Sequence, residues 1–230
     1  VIKVLKSETQ TIEWKAATQA CPTGLCDTLS CFSNQDEGGI IVFGIDEAGR
    51  GPLAGPVYAA CCLLPDDFPV ELLNDSKALS EKKRAKVEPI IKEKAIAYGI
   101  GFATHTEIDQ INILQATLLA MKRAFDEMFS KLKTEYPSLT EDELFGVIDG
   151  NCIPNISCSC KAEPKADGNY PCVMAASILA KNERDRVMVE YSKMYPEYGY
   201  EGHKGYPTKA HKEKCRQLGP SPIQRHSFKY

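Results

Sequence analysis

The feature that most constrains this chain is an apolar run that ends in two acids. Ile40-Ile41-Val42-Phe43-Gly44-Ile45 is short and rich in β-branched residues, as a buried strand requires, and it leads directly into Asp46-Glu47 and a glycine-rich stretch. Phe145-Gly146-Val147-Ile148 repeats the arrangement, with Asp149 and Gly150 following. A carboxylate at the end of a buried strand is partly desolvated, and leaving such a charge unpaired is costly. Two strand ends of this kind side by side bring three negative charges together, and a divalent cation is the simplest compensation. Adjacent strand residues point to opposite faces, so Asp46 and Glu47 share one site only if regular strand stops there, which the following glycines favour. A fourth acid, Asp167, precedes a long helical pattern and can close the ring of ligands. Oxygen-only ligands suit Mg2+ or Mn2+ and disfavour zinc. On spacing alone, a purely structural role for these acids stands equally open.

Around these strand ends the pattern alternates between strands and helices. Residues 57–64 and 97–103 are further strand candidates. Ser80 is placed to cap a helix beginning at Glu81, which Pro89 should kink or interrupt. Thr106 with Asp109 resembles a capping pair. Beyond it Ile111, Leu114, Leu118, Met121, Phe125 and Met128 recur at steps of three and four, so one face of this helix should pack on the sheet. Residues 172–195 form a third helical pattern, in which Ala175, Ala176 and Ser177 allow close approach, and residues 209–218 a fourth. Interleaved elements of this kind predict an α/β layered domain over residues 40–230. Residues 1–39 are polar, lack sustained periodicity and end in Gly38-Gly39, and they read as an appendage on a flexible link.

Composition narrows the class. With 230 residues, 43% of them hydrophobic and 26% charged, the chain has material for a sizeable core, which excludes global disorder and collagen-like structure. No apolar run approaches the roughly 18 residues needed to span a bilayer, and residues 1–39 lack the basic start and apolar centre of a signal peptide. A cytoplasmic protein without a membrane segment is expected, with a monomer as the default. Ten cysteines are many for such a chain. Cys21, Cys26 and Cys31, and the Cys158/Cys160 pair, do not show the usual spacing of a structural zinc site. Cys61, Cys62, Cys152 and Cys172 sit in apolar or strand-like surroundings, where cysteine acts as a small hydrophobe, so reduced and catalytically dispensable cysteines are expected. The Asn155-Ile156-Ser157 sequon is read as chance. The net charge of −3 hides an asymmetry: residues 161–230 hold thirteen basic and eight acidic residues, a balance of +5, together with His203, His211 and His226. Ordinary helix surface and a nucleic-acid surface both fit that balance.

Several motifs point further. Residues 44–57, Gly-Ile-Asp-Glu-Ala-Gly-Arg-Gly-Pro-Leu-Ala-Gly-Pro-Val, strongly resemble the signature of bacterial-type ribonuclease HII. Asn74-Asp75-Ser76-Lys77 with Leu79-Ser80, Ile148-Asp149-Gly150-Asn151, Ala175-Ala176-Ser177-Ile178 with Ala180-Lys181, and His203-Lys204-Gly205-Tyr206-Pro207-Thr208 follow in the family's order and spacing. The resemblance covers residues 41–230. The first 39 residues and the cysteines of residues 152–160 match no assigned family feature. Arg50 and Asp167 point away from the sister family, ribonuclease HIII.

The resemblance implies a ribonuclease H-like fold: a mixed sheet of about five strands flanked by helices, with a helical C-terminal extension. It implies that Asp46, Glu47, Asp149 and Asp167 are the catalytic and metal-binding carboxylates, holding Mg2+ or Mn2+, two ions during catalysis. The implied substrates are RNA–DNA hybrids and duplex DNA with embedded ribonucleotides, cut on the 5′ side of the ribonucleotide to leave 3′-hydroxyl and 5′-phosphate ends. The implied role is removal of ribonucleotides and RNA primers from DNA. Gly49, Arg50 and Gly51 would bring backbone close to the nucleotide and, with Tyr206, read the 2′-hydroxyl. Ser76, Lys77, Lys181, His203 and Lys204 are candidate phosphate contacts. Each has a plainer reading: a tight turn for Gly49-x-Gly51, helix surface for Lys181, packing for Tyr206. A Rossmann loop fits poorly, because the next glycine is Gly55. A metal-free base mechanism is less attractive, since no histidine accompanies the acidic motifs. The rival of a different class is a nucleic-acid-binding protein that keeps the fold without catalysis.

Overall fold

The computed structural model describes residues 40–73 and 80–229. The expected appendage at residues 1–39, with Cys21, Cys26 and Cys31, and the motif residues Asn74, Asp75, Ser76, Lys77 and Leu79 lie outside the described residues. Five strands form one sheet: β1 (Ile41–Ala48), β2 (Val57–Leu63), β3 (Ala97–Ala103), β4 (Leu144–Asp149) and β5 (Ser159–Glu163). Their spatial order is β3-β2-β1-β4-β5. The β3-β2-β1 half is antiparallel, and β4 joins β1, and β5 joins β4, in parallel. The sheet is therefore mixed, with β1 at its centre.

Both faces of β1 are covered, which is why residues 41–45 are apolar without alternation before the two acids. Phe43 and Ile45 join Val57, Ala59 and Cys61 in a core closed by Ala120, Met121, Ala124 and Phe125 of helix α2 (His105–Glu135). On the other face Ala60 and Cys62 meet Ala175, Ala176 and Leu179 of helix α3 (Pro171–Met194). Gly44 sets the closeness of that contact: a Cβ there would lie 2.4 Å from the Val173 nitrogen and 2.5 Å from the Cys172 carbonyl carbon. The first turn of α3 thus rests on bare strand backbone.

Helix α1 (Glu81–Lys94) packs beside α3 and runs through Pro89 without interruption. Pro89 is exposed, while the adjacent Val87, Glu88 and Ile91 are buried and carry the helix past it. Burial would raise the Glu88 carboxyl, but hydrogen bonds from Lys92, Arg186 and Asn182 outweigh it and hold the group below the usual range.

Helix α2 also departs from expectation at its start. Its cap is Thr104, whose side chain accepts from the Glu107 N–H in a capping box, two residues before the expected pair. Asp109 instead accepts from the backbone N–H groups of His226 and Ser227. The helix breaks at Asn112, at φ 67°, where the side-chain oxygen takes the N–H groups of Leu114 and Gln115. That break shifts the helical register, so Ile111 and Leu114 are 38% and 36% exposed while Met121, Phe125 and Met128 face the sheet.

Strand β5 has no apolar alternation and was invisible to pattern; it forms because β4 offers it an edge. Cys152 is exposed, contrary to its apolar reading, because β4 ends at Asp149 and leaves it in the following loop. The C-terminal part is helical, with short α4 (Tyr200–His203) and α5 (Lys209–Leu218). Residues 221–228 then return to the loop after β1, where the Gly55 N–H donates to the Ile223 carbonyl and the Arg225 N–H to the Leu53 carbonyl. Among the described residues no helix is long and apolar enough to cross a membrane.

The Gly44 contact is directly testable. Gly44→Ala forces α3 off β1 or strains both, and a loss of about 1–3 kcal/mol is expected from overpacking against backbone. Thermal or urea unfolding of the purified variant checks it; an unchanged Tm would show that α3 does not sit on β1 this closely.

Candidate active site

Strand register brings the acids together. Ile45 pairs with Ile148 across the parallel β1–β4 ladder, so the next residues, Asp46 and Asp149, emerge side by side. Val147 packs with Cys172 and Val173 of α3, and Gly44 lies under the same turn, so by alternation Asp46 and Asp149 stand on the α3 face. Asp167 arrives from a single helical turn, Ala166–Gly168, just before α3. The Ala166 N–H donates to Asp149 Oδ1 at 2.8 Å, which ties that turn to the end of β4. Oxygens of Asp46, Asp149 and Asp167 all lie within 4.8 Å of one another.

Glu47 behaves differently. The strand does not stop before the acidic pair but continues to Ala48, with Asp46, Glu47 and Ala48 opposite Ala60, Ala59 and Tyr58. Glu47 lies outside the closest set of acids, and its Oε1 accepts from Arg50 at 3.4 Å. Burial raises the Glu47 carboxyl, with Arg50 pulling it down and the Asp149 charge pushing it up. It is thus electrically coupled to the cluster without joining its closest contacts.

Asp46 is the most constrained member. Burial pushes its carboxyl well above the usual range, the Glu47 and Asp149 charges push it further, and hydrogen bonds from Ser177 and the Glu47 N–H work against them. A close set of carboxylate oxygens, with Asp46 and Asp167 buried and Asp46 held reluctant to ionise, fits a hard divalent cation such as Mg2+ or Mn2+. Ser177 was legible in sequence only as a small packing residue; its place on α3 over β1 gives it this second task.

The loop after β1 is held from beneath by two guanidinium groups. Gly49, at φ 101°, adopts a conformation L side chains avoid, and a Cβ there would fall 2.1 Å from Arg184 Nε. Arg184 is fully buried and donates to the carbonyls of Pro56, Ala54 and Lys204. Arg225 is fully buried too, and donates to five carbonyls between Gly49 and Pro56. Burial lowers the Arg225 guanidinium to about 9, with the Arg184 charge adding to the effect. Neither arginine stood out in the sequence, and the +5 balance of residues 161–230 therefore overstates the basic surface.

Above the loop lies Tyr206, 37% exposed, with Lys181 Nζ 5.4 Å and the Arg184 guanidinium carbon 5.5 Å from its ring centroid. A Cβ on Gly51 would stand 3.8 Å from Tyr206 Cε1, so the Gly49-Arg50-Gly51 turn and this ring face each other. Lys181 donates to Asp185, which Arg84 also holds. Lys204 donates to the Glu201 carbonyl from a largely covered side chain. His203 has both ring nitrogens engaged inside the protein: Nδ1 accepts from the Gly205 N–H, and Nε2 donates to the Tyr198 carbonyl. It stacks at 4.4 Å on the buried His211, whose Nδ1 bonds the Tyr206 carbonyl. The two imidazoles thus shape the loop that carries Tyr206. Ser76 and Lys77 lie outside the described residues.

Known proteins resemble this chain over the same region. The family model described as Ribonuclease HII matches residues 43–230. Ribonuclease HII of Treponema denticola is 56% identical over 191 residues, covering 80% of this chain and 96% of the relative. Ribonuclease HII of Clostridioides difficile is 44% identical over 204 residues, covering 88% of this chain and 76% of the relative. Among solved structures, ribonuclease H2 of Pyrococcus horikoshii superposes with a TM-score of 0.64 at 26% identity, covering 83% of this chain and 94% of that one. The match begins inside β1, three residues before Asp46, and takes in every strand and helix that shapes the carboxylate cluster; the chain belongs to the ribonuclease HII family and is a metal-dependent ribonuclease H.

Proposed function

We propose that this chain cuts the phosphodiester on the 5′ side of a ribonucleotide, both in RNA–DNA hybrids and at single ribonucleotides within duplex DNA, leaving 3′-hydroxyl and 5′-phosphate ends. The observation that carries this reading is the meeting of Asp46, Asp149 and Asp167 oxygens within 4.8 Å, with Asp46 a few residues before an exposed Arg50-Gly51 turn that faces Tyr206. Asp46, Glu47, Asp149 and Asp167 hold the metal, Mg2+ or Mn2+. Two such ions, when bound, supply electrostatic activation of the attacking water and stabilisation of the departing 3′-oxygen.

The protein's own groups do the rest by orientation. Ser177 and the Glu47 N–H aim the Asp46 carboxylate, and the Ala166 N–H aims that of Asp149. Arg50 restrains Glu47 at the edge of the cluster. The Gly49-Arg50-Gly51 backbone and the Tyr206 hydroxyl meet the 2′-hydroxyl, the group that separates RNA from DNA. Lys181 and Lys204, with Ser76 and Lys77, attract the phosphate backbone, which positions a duplex without reading its bases. His203 serves by holding the loop, since both its ring nitrogens are taken up within the protein. Excision of ribonucleotides and RNA primers from DNA is the cellular task this chemistry suits.

The expected outcomes concern cleavage, the carboxylates and the substrate contacts. A duplex carrying one ribonucleotide should be cut in Mg2+ or Mn2+ at the 5′ side of that residue, as end-labelled products on a sequencing gel will show. Binding without cleavage in either metal would make the chain a silent binder of the same fold. Asp46→Asn or Asp149→Asn should cost more turnover than the roughly 10–100-fold typical of groups that merely support a metal ligand. The same variants relieve like-charge crowding, so their Tm without metal should stay level or rise. Lastly, Tyr206→Phe removes one hydrogen bond of about 0.5–1.5 kcal/mol, a few-fold to about tenfold loss in cleavage at a single ribonucleotide, with duplex binding retained. Lys204→Ala should weaken ribonucleotide-containing and all-DNA duplexes alike and flatten the salt dependence. Single-turnover rates and binding constants on matched duplexes separate the two patterns.

A further inference from the structure

We infer that Arg225, which lies outside every motif that carries the family resemblance, is the positioning residue that turns the Arg50 and Gly51 amides toward substrate. This inference rests on the proposed reading of the Gly49-Arg50-Gly51 turn as the ribonucleotide sensor. The side chain is fully buried, and its five N–H donors all meet backbone carbonyls. Nη2 donates to Gly49 at 2.7 Å and Pro56 at 3.1 Å, Nη1 to Arg50 at 3.0 Å and Pro52 at 2.8 Å, and Nε to Gly55 at 2.8 Å. All five hydrogen-bond partners are carbonyls of one loop, and the guanidinium also lies over the Phe228 ring, 5.1 Å from its centroid.

A peptide unit is planar and trans, so a carbonyl and the N–H that follows it point in opposite directions. Drawing the Gly49 and Arg50 carbonyls inward to Arg225 therefore turns the N–H groups of Arg50 and Gly51 outward. Those two residues are exposed, whereas residues 52–56 are buried. Among the described residues neither amide has a hydrogen-bond acceptor. The outward side is also where Tyr206 stands, 3.8 Å from the position a Gly51 Cβ would take. Two adjacent donors and one hydroxyl then converge on a space suited to a small oxygen ligand, which a ribose 2′-hydroxyl provides and deoxyribose lacks.

Arg225 is itself well placed to set this geometry. Its own N–H donates to the Leu53 carbonyl, and the next two residues are held by the Asp109 carboxylate at the start of α2. Arg184 reaches the same loop at Ala54 and Pro56 only, beyond the peptide units in question. It supports the loop without orienting those amides.

The test uses the full chain and three matched duplexes: all-DNA, one ribonucleotide, and several. Arg225→Lys keeps the charge but concentrates its donors at one point that cannot span five carbonyls. Its kcat at a single ribonucleotide should fall about tenfold or more with KM changed less than about threefold, because a misaimed amide harms the transition state more than phosphate binding. Its binding preference for the ribonucleotide duplex over all-DNA, measured without metal, should collapse, with all-DNA binding kept within about twofold. Asp109→Ala frees the same segment without touching the carbonyls, and should lower Tm while the preference survives. Equal weakening on all duplexes by Arg225→Lys, an intact preference, or the same collapse in Asp109→Ala would overturn the inference. Should Arg225→Lys fail to fold, Arg225→Gln takes its place with the same expectations.

Amide NMR in an Asp46→Asn background separates this inference from the reading beneath it. The Arg50 and Gly51 resonances should shift with the ribonucleotide duplex and not with all-DNA, and Arg225→Lys or Arg225→Gln should abolish that difference. No response in the unsubstituted loop would sink the sensor reading itself. A response that persists in a folded Arg225 variant would sink the role of Arg225 alone.

Discussion

A helix resting on bare strand backbone at Gly44 is the contact on which the rest of this structure depends. With no side chain at that position, the first turn of α3 approaches β1 to a distance that any Cβ would block. Closeness there has two consequences further along each element. Two residues up the strand, Asp46 lies within reach of Ser177 on the same helix. Just before the helix begins, Asp167 comes to the ends of β1 and β4. The site is therefore a by-product of how one helix packs on one strand. Its acids come from three separate stretches of chain that only this packing unites.

Electrostatics divides the molecule at the end of β1. On one side lie carboxylates that burial and mutual repulsion make reluctant to ionise, a state that a divalent cation resolves. A few residues later two arginines are buried among carbonyl oxygens, with burial driving their guanidinium groups downward. Backbone dipoles can stabilise a buried cation only if many point at it, and the Gly49–Pro56 loop is folded so that they do. Glycine at position 49 permits this, since a side chain there would occupy the space of Arg184. The acidic cluster and the rigid loop beside it are in this sense complementary solutions to burying charge.

Much of the architecture was legible because hydrophobic periodicity is local. Strand β3 and helix α5 have the bounds their patterns suggest, and β1, β2, β4 and α3 differ by a few residues at their ends. Failures occurred where a local signal was overridden by neighbours. Pro89 stays within α1 because the residues beside it are buried against α3. Asn112 breaks α2 and turns Ile111 and Leu114 to solvent, which a continuous apolar stripe conceals. Strand β5 carries no pattern of its own and exists only as a partner for β4.

What the sequence by itself determined is the set of chemically committed residues: acids at the ends of buried runs, a glycine turn after the first of them, and a later segment bearing Tyr206. Those follow from residue type and short spacing, which are properties of adjacent positions. Tertiary structure alone decided which acids meet, because the parallel β1–β4 register places Asp46 with Asp149 and leaves Glu47 outside that closest set, against Arg50. It alone revealed that Arg184 and Arg225 are interior residues and that His203 and His211 brace a loop. A charged residue looks the same in sequence whether it faces water or a cage of carbonyls. The difference arises from partners more than a hundred residues away, and only the folded chain brings them within hydrogen-bonding distance.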